Sequence, residues 1–312
     1  AGKSTTFHIL SGLLPPTGGD AHFGRLSIRT DLDAIRKNLG VCPQHDVLWE
    51  KLPVEEHLSI IAGLKGVPGS EIAGEVRRML DELKLTGKRQ AAAGTLSGGQ
   101  KRKLCIGMAL IGGSKIVFLD EPTSGVDPVA RRFIWDVLQR NKAGRTMLLS
   151  THFMDEADML GDRIAILSRG RLRCLGSSLF LKSTFGIGYL LTVDRGESRE
   201  PNSGTDPFMS CVLSHVPSAT LLSDVARSIA VRLPRENVDA FGAMFREFDE
   251  RKQELGVLSY GVSLTTLEEV FLRIADEVEE GIESTEELGK SMLERLSSLP
   301  PGMSFRVEQS EG

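Results

Sequence analysis

Leu96-Ser97-Gly98-Gly99-Gln100 runs directly into Lys101–Leu110, and Ile116-Val117-Phe118-Leu119-Asp120-Glu121-Pro122 follows shortly after. The first stretch puts a serine and two glycines at the head of a basic helix, where backbone N–H groups can approach an anion closely. The second is a continuous apolar strand ending in two acids. Strands apolar on both faces belong to sheets covered on both sides, the α/β arrangement. Carboxylates at the end of such a strand stand at the carboxyl edge of the sheet, where ligands of open α/β sheets bind. Thr146-Met147-Leu148-Leu149-Ser150 and Arg163-Ile164-Ala165-Ile166-Leu167 repeat the apolar pattern. Helix-length segments, Val129–Asn141 and Phe153–Gly161, lie between them and end at Gly or a polar cluster. The predicted fold class for this part is α/β with a mostly parallel sheet.

Working outward, the chain opens Ala1-Gly2-Lys3-Ser4-Thr5-Thr6, followed by the helical pattern Phe7–Leu13. This is the back half of a phosphate-binding P-loop, whose front glycine would precede the Gly-Lys pair. The sequence is therefore expected to be a piece of a longer chain. In such a loop the backbone N–H groups cradle phosphates, the Lys neutralises their oxygens and the next hydroxyl ligates Mg²⁺. Taken alone, the segment reads as a helix start with a surface lysine. Asp120 would hold Mg²⁺ through water, and Glu121 is the candidate general base for an attacking water. Each also has a bland reading as a charged strand end. His152, ending the strand 146–151, could donate to a phosphate oxygen, although a lone His there is more often structural. Gln44, after Cys42-Pro43, offers an amide to metal and water and would be dismissed in isolation.

The order decides between these readings. Lys3 precedes Ser97 by 94 residues, Ser97 precedes Asp120 by 23, and Glu121 precedes His152 by 31. Phosphate loop, glutamine, LSGGQ, strand-Asp-Glu, Ser124-Gly125-Val126-Asp127 and strand-His together resemble the nucleotide-binding domain of ATP-binding cassette (ABC) proteins. The resemblance implies a P-loop NTPase cassette that binds ATP between two head-to-tail copies. It implies that Gly2, Lys3, Ser4 and Thr5 bind phosphates, with Ser4, Gln44 and Asp120 around Mg²⁺. It assigns Glu121, His152 and Gln44 to catalysis, and gives Ser97, Gly98, Gly99 and Gln100 to the partner cassette's site. Asp127 would lie in the loop crossing the dimer interface.

The stretches Glu121–Pro128, Leu149–Asp158, Gly161–Ala165, Gly176–Lys182, Phe185–Tyr189 and Tyr260–Leu272 are similar to the A subfamily of ABC transporters, over about residues 1–275. That subfamily mostly moves lipids or sterols. The implied partners are a second cassette, transmembrane domains and, through them, a lipid. The implied location is the cytosolic face of a membrane. Gln44 to Trp49 would form the groove receiving a coupling helix. Two departures stand out. The P-loop front and the upstream adenine-stacking aromatic are missing, which predicts poor ATP binding by these residues alone. Gln100-Lys101 stand where many A-subfamily members have Met-Gln.

Composition narrows the classes. Aromatics make up 5% of 312 residues, too few for a lectin-like or base-stacking surface. Residues 276–312 carry a net charge of −7 and residues 1–275 a net of +3, with no basic block to track a phosphate backbone, so no nucleic-acid partner is expected. The four cysteines are widely spaced without a CxxC pair, against a disulfide framework or zinc site. No apolar run approaches the ~20 residues of a membrane span.

After Phe185 the pattern changes to a strand at Gly188–Val193, a helix at Phe208–Val216, strands at Thr220–Val225 and Ser228–Leu233, a helix at Asn237–Leu255 and a strand at Leu258–Val262. The order βαββαβ is ferredoxin-like. Gly196–Pro207 reads as a surface loop or a partly disordered insert, and Thr266–Asp276 as one more helix. The expected organisation is a cassette at 1–183, a small α+β regulatory domain at 184–276 and an acidic linker at 277–312. The competing functional class is a soluble ABC ATPase acting on ribosomes or DNA, disfavoured by the lack of basic patches and by the appended domain.

Overall fold

The computed structural model describes residues 2–186, 188–195, 206–225 and 227–279. Most of the loop expected at 196–207 and most of the acidic linker lie outside these residues. The elements in chain order are α1 (Lys3–Leu10), β1 (His22–Phe23), β2 (Leu26–Ser27), α2 (Leu32–Asn38), β3 (Leu39–Cys42), α3 (Val54–Leu64), α4 (Gly69–Glu82), α5 (Gly98–Leu110), β4 (Ile116–Asp120), α6 (Pro128–Arg140), β5 (Thr146–Ser150) and α7 (Met154–Leu160). A hairpin, β6 (Ile164–Ser168) and β7 (Arg171–Gly176), precedes α8 (Ser178–Phe185). The remaining elements are β8 (Tyr189–Arg195), α9 (Pro207–His215), β9 (Thr220–Val225), β10 (Ser228–Leu233), α10 (Val238–Glu250), β11 (Val257–Leu264) and α11 (Leu267–Glu279). They group into two compact units, residues 2–160 with 167–171, and 161–166 with 172–279.

In the first unit a parallel sheet has the order β3-β4-β5. Cys42 pairs with Leu119, and Asp120 with Ser150, so all three strands end at one edge. The apolar run of β4 is buried from Val117 to Asp120, as a strand covered on both faces requires. β5 departs from that expectation. Among the described residues it pairs on one side only, and Leu148 is 36% exposed. The run at 163–167 forms half of the two-stranded β6–β7 sheet rather than joining the parallel one.

α3 and α4, which the sequence reading did not assign, bury Val54, His57, Leu58 and Ala62, and Val76, Met79 and Leu80 respectively. They share the main core with the buried face of α5, formed by Leu104, Cys105, Ile106 and Ala109. α5 crosses β3 so closely that a Cβ on Gly40 would stand 1.9 Å from the Ala109 carbonyl oxygen, so only glycine fits there. α1 packs through Phe7, whose ring lies 5.6 Å from that of Phe118 on β4.

The second unit contains an antiparallel sheet of order β11-β8-β10-β9, with α9 and α10 completing the expected βαββαβ arrangement. Its core holds Leu191, Val193, Phe208, Val212, Val231, Met244 and Phe248. α10 ends at Glu250 rather than Leu255, because the chain turns through Gly256 at φ 68° before β11.

Candidate nucleotide site

The register of the parallel sheet dictates the site. Because β3, β4 and β5 end level, the residues that follow each strand meet at one edge. Gln44 follows β3, Glu121 follows β4 and His152 follows β5. Gln44 Nε2 donates to Glu121 Oε2 at 3.4 Å, and His152 Nδ1 lies 3.3 Å from the same oxygen. The Glu121 side chain is 18% exposed and that of His152 50%. Three residues far apart in sequence thus converge on a single carboxylate oxygen.

Glu121 adopts φ 47°, in the left-handed region that a side-chain-bearing residue occupies at a cost of about 1–3 kcal/mol. Its N–H donates to the carbonyl oxygen and to Oγ of Ser150, both at 3.1 Å. Ser150 Oγ in turn donates to Asp120 Oδ1. Asp120 is buried, so its carboxylate is fixed by β5 and by little solvent. Behind it the Cys42 thiol is pushed up to about 12, chiefly by burial, and stays protonated at neutral pH.

Gly2 caps α1 at φ 93°, and the Thr6 N–H and hydroxyl both donate to its carbonyl oxygen, at 3.0 and 2.9 Å. A positive-φ glycine at a helix N-terminus directs backbone N–H groups outward, as anion binding needs. Among the described residues, Lys3, Ser4 and Thr5 form no side-chain hydrogen bond, and none joins them to Asp120 or Glu121.

Ser97 is the N-cap of α5. Its Oγ accepts from the Gln100 N–H at 3.3 Å, and Gln100 Oε1 accepts from the Ser97 N–H at 3.1 Å. This reciprocal box fixes the helix start, leaving Ser97 and Gly98 exposed and Gly99 half-buried against Ala130. Asp127 caps α6 through the N–H groups of Val129 and Ala130, both at 3.0 Å.

Three residues escaped the sequence reading. Arg102, 3% exposed, sends its guanidinium to the loops after β3 and β4. Its position three, four and seven residues before Cys105, Ile106 and Ala109 put it on the buried face of α5, a signal that the flanking lysines obscured. Glu156, fully buried on α7, accepts from Thr123 Oγ1 at 2.9 Å and Trp135 Nε1 at 3.0 Å. It ties the segment after Glu121 to the helix after His152. His57, also fully buried, donates from Nδ1 to the Pro53 carbonyl at 2.9 Å and accepts the Trp49 N–H at 3.0 Å, which fixes the tautomer. It anchors a surface where Val47 is 68% and Trp49 55% exposed.

Comparison with known proteins places this arrangement. A profile described as ABC transporter matches residues 1–124, and one described as ACT-like domain matches residues 189–267. The chain is 50% identical over 277 residues to ABC transporter A family member 2 of Dictyostelium discoideum. It is 48% identical over 283 residues to the human phospholipid-transporting ATPase ABCA3. This chain belongs to the A subfamily of ABC proteins. The two alignments cover 89% and 91% of the chain, but only 17% and 16% of those relatives. Among solved structures, an ATP-binding subunit of an ABC transporter superposes with TM-score 0.55 at 29% identity, over 59% of this chain and 77% of that one. A dimeric post-hydrolysis ATP-binding cassette bound to ADP and Pi gives TM-score 0.52 at 26% identity, over 56% of this chain and 80% of its own. The fold is the ABC ATPase cassette followed by a ferredoxin-like unit.

Proposed function

We propose that this chain is the ATP-hydrolysing cassette of a membrane transporter that moves lipid, with Glu121 as general base. The observation that carries the reading is the meeting of Gln44 Nε2 and His152 Nδ1 at Glu121 Oε2, beside the buried Asp120 carboxylate. A carboxylate held by two polar side chains at a sheet edge can accept a proton from water, the task of a general base. His152, half exposed, contacts the transferred phosphoryl group. Gly2, Lys3, Ser4 and Thr5 bind the phosphates at the positive end of α1.

The donor set fits Mg²⁺. The Ser4 hydroxyl, the Gln44 amide oxygen and the Asp120 carboxylate are hard oxygen ligands, and hydrogen bonding of Gln44 through Nε2 leaves its carbonyl oxygen for a cation. When bound, the ion neutralises phosphate charge. The chain's own residues orient the water and take its proton.

The same reading gives Ser97, Gly98, Gly99 and Gln100 to the site of a second cassette, packed head to tail. The exposed Val47–Trp49 surface receives a helix of the transmembrane domains, on the cytosolic side. The description of one relative, human ABCA3, as phospholipid-transporting supports lipid as the cargo. We divide the chain functionally into a cassette at 1–183, a small regulatory domain at 184–276 and a linker at 277–312. A soluble ATPase working on ribosomes or DNA has no observation in its favour.

The test uses the cassette carrying a complete phosphate loop. Glu121→Gln lowers ATP turnover on the order of 10²–10⁴-fold, the usual contribution of a general base, while ATP still binds. Lys3→Ala weakens nucleotide affinity. Turnover unchanged in Glu121→Gln would sink the role of Glu121, and unaltered affinity in Lys3→Ala would refute the phosphate-binding assignment.

A further inference from the structure

Arg102 is the most heavily engaged side chain at the catalytic edge. Its Nε donates to the Pro122 carbonyl at 2.7 Å, and Nη2 to the carbonyls of Asp120 and Glu121, both at 2.8 Å. Nη1 reaches the carbonyls of Pro43 at 2.7 Å and Gln44 at 3.3 Å, and Asp46 Oδ1 at 3.3 Å. A guanidinium has five N–H donors in a rigid planar fork, and here all three nitrogens are occupied. Five of the six acceptors are main-chain carbonyls, drawn from two loops separated by more than 70 residues. One loop carries Gln44 and the other Glu121, whose Nε2 and Oε2 meet at 3.4 Å.

We propose that Arg102 is the positioning residue of the hydrolytic site. It sets the Gln44 loop against the Glu121 loop, and it fixes both to the helix that begins at Ser97. The inference rests on the ATPase reading above. A buried cation with a single carboxylate partner, Asp46, is an expensive way to fill a core, because desolvating it costs several kcal/mol before any hydrogen bond forms. What the guanidinium supplies that an apolar side chain cannot is geometry: five carbonyls held at fixed separations. Arg102 stands five residues after the helix cap at Ser97. Displacement of α5 by whatever engages Ser97 to Gln100 therefore reaches this chain's own Glu121 through one side chain. The positive φ of Glu121 shows that its backbone is held away from its relaxed conformation, and two of the carbonyls that Arg102 grips, those of Glu121 and Pro122, lie at that turn.

Two variants separate positioning from folding. Arg102→Lys keeps the charge but offers one nitrogen in place of a fork. Arg102→Met removes the charge, and serves as the control for folding. In the cassette carrying a complete phosphate loop, Arg102→Lys lowers kcat on the order of 10²-fold, the loss that a displacement of about 1 Å brings, while KM for ATP stays within about twofold. In the nucleotide-free 312-residue chain, hydrogen–deuterium exchange of Arg102→Lys rises together at 44–48 and 121–126, with exchange in α3 and α4 unchanged. Retention of wild-type kcat by folded Arg102→Lys overturns the proposal, as does exchange that rises in only one loop or throughout the unit. If the wild-type cassette hydrolyses no ATP, the ATPase reading fails by itself, and the paired exchange response still decides whether Arg102 couples the two loops.

Discussion

The two units bury different kinds of side chain. Of the ten buried polar or charged residues among those described, nine lie in the first unit, including His57, Arg102, Asp120 and Glu156, and only Thr265 lies in the second. The second unit closes on Leu, Val, Ile, Met and Phe, with aromatic contacts such as Phe208 to Phe248 at 5.2 Å. Burying a polar group is unfavourable unless it is hydrogen-bonded, so a core that retains a guanidinium and two carboxylates is satisfying a demand other than packing. The contrast marks the first unit, without reference to any motif, as the one whose core carries polar and charged groups. The second unit's core is accounted for by hydrophobic burial alone.

The contrast breaks first at Phe248, in the second unit's core. It is fully buried and also touches Phe245 and Tyr260. Phe248→Ala should destabilise this unit by about 3–5 kcal/mol, the range for emptying a well-packed aromatic site. Chemical denaturation followed at the second unit reads the loss directly. A change below about 1 kcal/mol would mean that this core is not the close-packed apolar cluster described here.

Lys65 tests the opposite, polar strategy, with a smaller effect. Its ammonium, with three N–H donors, is shared among four acceptors, the carbonyls of Met108, Ala109 and Ile111 at 3.2, 3.0 and 3.0 Å and Ser114 Oγ at 2.5 Å, closing the C-terminal end of α5. Lys65→Met strands these acceptors and should cost about 2–3 kcal/mol. Burial pushes the Lys65 pKa down to about 8, against 10.5 for the free side chain, with a further push from Arg145. Between those values the unfolded chain binds more protons than the folded one. Stability of the wild type relative to Lys65→Met should therefore rise as pH is raised from about 8 to 10.5, and should be flat below that window. Denaturation midpoints across that range measure it. A flat difference would show that the four acceptors offset burial in full.

Much of the site was legible in sequence, because its members follow strands directly and strands announce themselves by apolar runs. Asp120, Glu121 and His152 each occupy a strand end, and parallel register does the rest. Gln44 was legible only through the family resemblance, since β3 is four residues long. Arg102 and Glu156 were missed for a different reason. Both sit within charged runs, Lys101-Arg102-Lys103 and Asp155-Glu156, where the buried member differs from its neighbours by helical phase alone. The small unit was the reverse case. Its alternating strands and the phenylalanines of α10 gave the βαββαβ order, while the end of α10 was set by Gly256 rather than by its apolar pattern.

The finest comparison concerns a partly buried polar network in the second unit. His215 Nε2 donates to Glu247 Oε2 at 2.7 Å, joining α9 to α10, and Arg251 donates to the other carboxylate oxygen. Cys211 also approaches this carboxylate, and its thiol is pushed up to about 11 by burial first and by Glu247 second. The hydrogen bond from His215, followed by that from Arg251, holds the Glu247 carboxyl below the usual glutamate range. A depressed carboxyl contributes stability that is present above its unfolded pKa and lost as pH falls through its folded one. His215→Ala should therefore raise the Glu247 titration midpoint toward the ordinary glutamate value, read by carboxyl chemical shifts, while the neutral-pH fold stays intact. Solvent-reached pairs contribute little to stability, in contrast to the buried guanidinium of the first unit. If His215→Ala instead unfolded the second unit, polar contacts would be structural there too, and the division between an apolar core and a polar, site-bearing one would no longer hold.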